Sequence, residues 1–165
     1  MRDHRGRTVV VLVVLFAGIS FAQEGDVIVI DACSGESAVW GELASWSCMS
    51  KGVRGVVVDG AVRDIDSIIG MKFPCFSRYV APNAGEPKGY GGIGEEIMCG
   101  GVRVRAGDWV IGDESGVAVV PQENAVEVAN RAVDIMEREE RLREEIKKGG
   151  TLSSILKLEK WEKVG

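Results

Sequence analysis

Runs of aliphatic, largely β-branched residues alternate along this chain with stretches of helical spacing. Asp26–Asp31 (DVIVID) and Gly55–Val58 (GVVV) read as buried strands. Between them, Ser37–Lys51 places Val39, Leu43, Trp46 and Met49 on one helical face, and Gly52 can end that helix. Strand, helix, strand in this order predicts a βαβ unit with a parallel pair. Asp59-Gly60 then predicts a tight turn, with Arg63 and Asp64 opening a short helix to Met71 that Phe73-Pro74 stops.

Downstream, Cys75–Val80 predicts a strand and Ala81–Gly94 a long Gly/Pro-rich loop. Glu96–Cys99 and Val102–Arg105 bracket Gly100-Gly101, the pattern of a hairpin. Trp109–Gly112 and Gly116–Val120 predict two further strands around Asp113-Glu114-Ser115. From Glu123 to about Lys148 the pattern is helical, with (i, i+4) charge pairs such as Glu139–Arg143. Gly149-Gly150 ends it, and Leu152–Trp161 predicts a last short helix. There is no internal repeat.

Two readings compete at the N-terminus. Met1–Arg7 (MRDHRGR) is basic, Thr8–Phe21 is apolar, and Ser20-Phe21-Ala22 has the small-x-small pattern of a secretory cleavage site. The apolar run is too short to span a membrane comfortably. In the other reading, Thr8–Leu15 is a buried strand followed by a short helix.

The 165 residues suit one domain, and an apolar fraction of 45% supplies a core. Net charge of −5 argues against a nucleic-acid footprint, which needs a basic stripe. The 22 glycines fall mostly between Val/Ile runs, which fits many short strands joined by tight turns. Cys33, Cys48, Cys75 and Cys99 form no C-x-x-C pair, so they read as free thiols, mostly buried, in a reducing compartment. The one histidine, His4, lies near the N-terminus, which excludes Ser-His-Asp and Cys-His catalysis. Chemistry therefore falls to carboxylates, arginines and a metal.

Gly89-YGGI-Gly94 fits G-x-G-x-x-G, but the residues after it read as hairpin strands. Without a following helix N-terminus there is no seat for a pyrophosphate, so it reads as a loop and not a dinucleotide site. The same absence argues against an S-adenosylmethionine methyltransferase. Arg63-Asp64 is sharper, because ligands collect at strand ends in parallel sheets. An arginine can clamp a carboxylate in bidentate fashion, and a neighbouring aspartate can hold a hard cation. The plainer alternative is that Asp64 caps its helix and Arg63 pairs with a surface carboxylate. In Trp40-Gly41-Glu42-Leu43-Ala44, Gly41 permits close approach, and the amides of Leu43 and Ala44 could face an anion. Trp40 and Trp46 otherwise read as core.

VVVDGAVRDID, MKFPCFSR and GGVRVRAGDWVIGDESGVAVVP together resemble the RraA-like family, from about Glu24 to Val120 and more loosely through Gly149. That family includes the class II 4-hydroxy-4-methyl-2-oxoglutarate aldolases and the regulator of ribonuclease E activity A. The resemblance implies a swivelling α/β/β sandwich with a C-terminal helical tail, assembled as a homotrimer or hexamer. It divides the chain into an apolar segment 1–23, the RraA-like domain 24–150 and a short helix 151–165. It also implies that Arg63 binds the carboxylate and carbonyl oxygens of a small 2-oxo acid and that Asp64 ligates Mg²⁺ or Mn²⁺. Gly41, Leu43 and Ala44 would meet the pyruvyl group, and Glu42 holds an acidic position that can retain metal-bound water. Glu139 of a neighbouring subunit would complete the water network, with Glu137 and Glu140 close by. The chemistry implied is pyruvate-forming aldol cleavage or oxaloacetate decarboxylation in the cytoplasm, with no nucleic-acid or membrane partner. The alternatives are a non-catalytic regulator of a ribonuclease, an inactive truncated member or, from the N-terminal pattern, a secreted protein. Ser67, with Asp66 beside it, stands where aldolase members often carry an acidic residue, and the region before GDVIVID is shorter than in most members.

Overall fold

The computed structural model describes residues 8–12, 15–85 and 91–156. Two compact units divide at 122/123. In the first, four parallel strands form one sheet in sequence order: β1 (Thr8–Leu12), β2 (Val27–Trp40), β3 (Gly55–Val62) and β4 (Cys75–Val80). The crossovers are α1 (Leu15–Phe21), α2 (Glu42–Ser50) and α3 (Ile65–Gly70). Two antiparallel hairpins follow, β5 (Ile97–Cys99) with β6 (Val102–Val104) and β7 (Trp109–Asp113) with β8 (Gly116–Val120).

Strand periodicity explains the layers. Side chains alternate across a strand, so a two-sided core needs an apolar residue at every position. Ile28, Ile30, Val56 and Val58 join Cys48, Ile68 and Phe73 in the core on the helical face. Val29 and Val57, at the intervening positions, pack instead with Ile97 and Val104 of the first hairpin and Val110 and Val119 of the second. Helices, parallel sheet and hairpins thus form the expected α/β/β sandwich.

In the N-terminal segment the strand runs over Thr8–Leu12, and Leu15, expected to end it, opens α1 instead. Thr8 to Leu12 pair in parallel with Val27 to Asp31, and Lys51 Nζ donates to the carbonyls of Ile19 (2.6 Å) and Ser20 (2.8 Å) at the end of α1. Among the described residues, no helix is long and apolar enough to cross a membrane.

Several expectations are corrected. The strand from Asp26 does not stop at Asp31. It runs to Trp40 through irregular pairing, so Ser37–Trp40 are strand and the helix begins at Glu42. The face expected to be buried is therefore wrong. Ala44, Ser45 and Cys48 face the core, while Leu43 (78% exposed), Trp46 and Met49 face outward. Asp59-Gly60 is no turn but buried β3, because pairing with both neighbours continues to Val62. Trp40 is core as expected, fully buried and stacked on Phe73 at a centroid distance of 6.5 Å.

The second unit contains α4 (Ala125–Lys147), preceded by a 3-10 turn at Gln122–Asn124, and α5 (Leu152–Ile155). Its charge pairs are spaced i, i+3: Arg143 bonds Glu140 and not Glu139, and Lys147–Glu144 (2.7 Å) and Lys148–Glu145 (3.0 Å) repeat the spacing. Thr151 and Ser154 form a reciprocal capping box at α5. Gly89 and Tyr90 of the glycine-rich motif, and residues 157–161 of the expected last helix, lie outside the described residues.

All four cysteines are free, and only Cys33 is exposed. Burial pushes the thiols of Cys48, Cys75 and Cys99 up to about 11, opposed at Cys48 by Lys51 and reinforced at Cys99 by the charges of Asp59 and Asp31. Because the thiolate is the nucleophile, iodoacetamide at pH 8 should alkylate Cys33 on the order of 10–100-fold faster than the other three, a contrast read by peptide mass spectrometry and abolished in urea. Equal labelling of all four in the folded protein would contradict this packing.

Candidate functional site

Parallel pairing brings the C-terminal ends of β2 and β3 side by side. Trp40 pairs with Val62, and the Arg63 amide donates to the Trp40 carbonyl at 2.9 Å. The next residues of each strand, Gly41-Glu42 and Arg63-Asp64, are therefore in contact. A Cβ at Gly41 would lie 2.6 Å from Asp64 Oδ2 and 3.1 Å from Arg63 Cγ, so glycine is required here for space. Its extended backbone (φ −166°) is one that any residue adopts.

Asp64 is held in place from two directions. Its backbone is left-handed (φ 58°, ψ 39°), a conformation aspartate tolerates better than most residues. Its Oδ2 accepts from the Glu42 amide at 3.1 Å, the first free N–H of α2. It does not cap α3 through its side chain, which corrects the plainer alternative. Arg63 Nη1 stands 3.5 Å from Asp64 Oδ1, a loose contact with both side chains partly open to solvent. Among the described residues, Arg63 forms no ion pair with a carboxylate other than Asp64.

The amides of Leu43 and Ala44 make no hydrogen bond among the described residues, and they lie in the first turn of a nine-residue helix. Ser45 was not anticipated from the sequence. Its hydroxyl donates to the Gly41 carbonyl (3.1 Å) and accepts from Trp40 Nε1 (2.8 Å), so a buried chain ties Gly41 to the core. A serine three residues after Glu42 was the available signal.

Arg63, Asp64, Gly41, Glu42, Leu43 and Ala44 therefore converge. Ser67 is half-buried and Asp66 exposed on α3. Glu137, Glu139 and Glu140 are exposed on α4, in the second unit. For a metal, the adjacent Asp64 and Glu42 offer only oxygen, a donor set that fits a hard divalent ion keeping several waters. Among the described residues, no three His, Cys, Asp or Glu side chains cluster as a closed metal cage.

A second arginine–aspartate pair lies behind the site. Asp59 Oδ1 accepts from Arg78 Nε at 2.6 Å and from the Ser34 hydroxyl at 3.3 Å, and Oδ2 accepts from the Gly100 amide at 2.6 Å. The Arg78 guanidinium holds the Asp59 carboxyl below the usual carboxylate range against the opposing effect of burial, with help from the Gly100 amide.

The comparisons agree with this architecture. The model of the RraA-like family, described as Aldolase/RraA, matches residues 7–119. The chain belongs to the RraA-like family. An uncharacterized protein of Methanocaldococcus jannaschii is 43% identical over 147 residues, covering 88% of this chain and 71% of that protein. A Halalkalibacterium halodurans protein with the provisional name 4-hydroxy-4-methyl-2-oxoglutarate aldolase is 40% identical over 116 residues; the match covers 67% of this chain and 54% of that one. Among solved structures, an uncharacterized Pseudomonas syringae protein superposes with a TM-score of 0.82 at 30% identity, over 90% of this chain and 76% of that one. A Streptomyces coelicolor protein described as an unusual member of the RNase ES inhibitor RraA family gives 0.78 at 25% identity, over 85% and 77%.

Gly41→Ala should destabilise the RraA-like fold by about 1–3 kcal/mol, the usual cost of overpacking. It should also shift the Glu42 amide resonance as Asp64 Oδ2 is displaced. Urea unfolding and ¹⁵N spectra check both, and an unchanged midpoint with an unmoved Glu42 amide would contradict the close approach.

Proposed function

We propose that this protein is a divalent-metal-dependent lyase. It cleaves 4-hydroxy-4-methyl-2-oxoglutarate-type substrates to pyruvate, decarboxylates oxaloacetate, or both. The observation that carries the reading is the convergence of the loosely paired Arg63 and Asp64 with the unbonded amides of Leu43 and Ala44. The provisional names of the aldolase relatives support it.

Arg63 presents a planar fork that matches the carboxylate and carbonyl oxygens of a 2-oxo acid. The amides of Leu43 and Ala44 donate to the substrate carboxylate at the positive end of α2. Asp64 would hold Mg²⁺ or Mn²⁺, which would supply electron withdrawal from the 2-oxo group as negative charge develops there, and Glu42 would retain water beside it. In aldol cleavage the C4 hydroxyl loses its proton, the C3–C4 bond breaks, C4 leaves as the carbonyl carbon of one pyruvate, and C1–C3 remain as pyruvate enolate, which takes a proton at C3. In oxaloacetate the same bond breaks with loss of CO₂. Arg63 faces the growing oxyanion and stabilises it more than the ground state. Glu42 orders the water that exchanges these protons, so no histidine is needed.

We place the protein in the cytoplasm, a reading supported by four free thiols. It would act without nucleic-acid or membrane partners. A second reading, a non-catalytic regulator of a ribonuclease, is favoured by the Streptomyces coelicolor neighbour and by Ser67 at a position often acidic in aldolases.

Pyruvate release from both substrates should require Mg²⁺ or Mn²⁺ and vanish in excess EDTA. Arg63→Lys should lower kcat/KM by about 10²-fold, roughly 3 kcal/mol of transition-state stabilisation, with the fold intact by circular dichroism. Turnover indifferent to EDTA, or a folded Arg63→Lys variant with wild-type kinetics, would refute this mechanism. Ribonuclease inhibition unaffected by Arg63→Lys, with no lyase turnover in the wild type, would favour the second reading.

The active site would be shared in a homotrimer or hexamer, with Glu139 reaching the site of a neighbouring subunit. The outward Leu43, Trp46 and Met49 beside the site support a subunit contact there, and closed rings use one repeated heterologous interface. Asp64→Asn and Glu139→Gln should each be inactive, and co-refolded mixtures should regain part of the activity. Mixed oligomers, verified by mass, that remain dead would place Glu139 in another role.

A further inference from the structure

Asp59 lies where β3 loses register with both of its neighbours. On β2, Asp31 pairs with Asp59 and Gly35 with Gly60, so Ala32, Cys33 and Ser34 bulge out between them. On β4, Ser77 pairs with Val58 and Tyr79 with Ala61, so Arg78 alone faces Asp59 and Gly60. Beyond this double break β2 meets β3 again only across two further register shifts, at Ala38 with Ala61 and at Trp40 with Val62, before the strands deliver Gly41 and Arg63-Asp64. The break at Asp59 therefore lies between the regular part of the sheet and both site segments, and it is the one place where β3 loses register with β2 and β4 together.

The Asp59 carboxylate touches every element that meets there. It accepts from Ser34 in the β2 bulge, from Arg78 on β4 and from the Gly100 amide in the β5–β6 turn. Cys33 (φ 52°) and Ser34 (φ 56°) are both left-handed, which non-glycine residues adopt only when their surroundings hold them. Close packing fixes the break sterically as well: a Cβ at Gly60 would lie 2.7 Å from Ala32 Cβ. Asp59 is itself only 8% exposed, and none of its bonds reaches Arg63 or Asp64 directly.

We propose that Asp59 is a positioning residue: by pinning the break shared by β2, β3 and β4, its carboxylate sets Gly41 against Arg63-Asp64. The catalytic consequence rests on the lyase reading above, but the structural coupling does not. The test is hydrogen exchange on the metal-free full chain, followed by NMR, in Asp59→Asn, Arg78→Met and Arg78→Lys. Beyond the break, the amides of Glu42, Arg63 and Ala81 report on the site through their bonds to Asp64, Trp40 and Val62. Before it, the amides of Val53 and Val56, bonded to Cys48 and Pro74, report on the core.

Asp59→Asn and Arg78→Met should lower protection at Glu42, Arg63 and Ala81 by about tenfold or more, while Val53 and Val56 stay within about twofold. Arg78→Lys, which keeps the cation, should restore most of the protection. Arg78→Met, at a partly exposed position, gives the decision if Asp59→Asn fails to fold. Where lyase turnover is present, kcat/KM should fall with the protection of those three amides. Uniform loss at all five amides, or loss at none, would overturn the positioning role. A wild type without turnover, with the selective pattern still present in the variants, would refute the lyase reading and leave the coupling standing.

Discussion

The site exists because one position has no side chain. Two parallel strands end level with each other, and the residues that follow them need the same space. At Gly41 the missing Cβ lets the Asp64 carboxylate lie against the start of α2 and accept its first amide. The next two amides of the turn make no hydrogen bond among the described residues, and Arg63 stands beside the same carboxylate. Any larger residue at Gly41 would separate the cation, the carboxylate and the helix end. The arrangement of these groups thus depends on a steric vacancy more than on any single charged group.

The two arginine–aspartate pairs of the first unit show how the same chemistry serves opposite ends. Arg78 and Asp59 meet at 2.6 Å with the carboxylate buried and saturated by an amide and a hydroxyl. Arg63 and Asp64 stand 3.5 Å apart in partial contact with solvent. In a low-dielectric setting a short, fully bonded pair is committed to its partners, whereas a loose one retains donors and lone pairs for an incoming molecule. The first pair is scaffold and the second is available.

Much of this was legible in the sequence, and the failures have specific causes. Ile28, Val29 and Ile30 announce a strand buried on both faces, and the hairpins at Gly100-Gly101 and Asp113–Ser115 follow from turn chemistry. Arg63-Asp64 stood out because a charged pair followed an aliphatic run. The first helix after β2 misled because Val39, Leu43, Trp46 and Met49 do fall at helical spacing, yet Val39 belongs to the strand and the other three face outward. Periodicity measures which residues share a face, not whether that face meets its own chain. Asp59-Gly60 misled because the pair normally signals a turn, and only tertiary partners from three other segments make it a buried strand. Glu139–Arg143 was a sound spacing, but Arg143 bonds Glu140, one turn away at i−3.

The left-handed backbone at Asp64 has an evolutionary consequence. Few residues occupy that conformation cheaply, and asparagine and glycine are foremost among them. Each is a single nucleotide change from an aspartate codon. Mutational drift can therefore remove the carboxylate while leaving the backbone, the sandwich and its surfaces intact. A gene copy altered in this way would encode a folded protein without that carboxylate, and selection could then act on whatever that surface happens to bind.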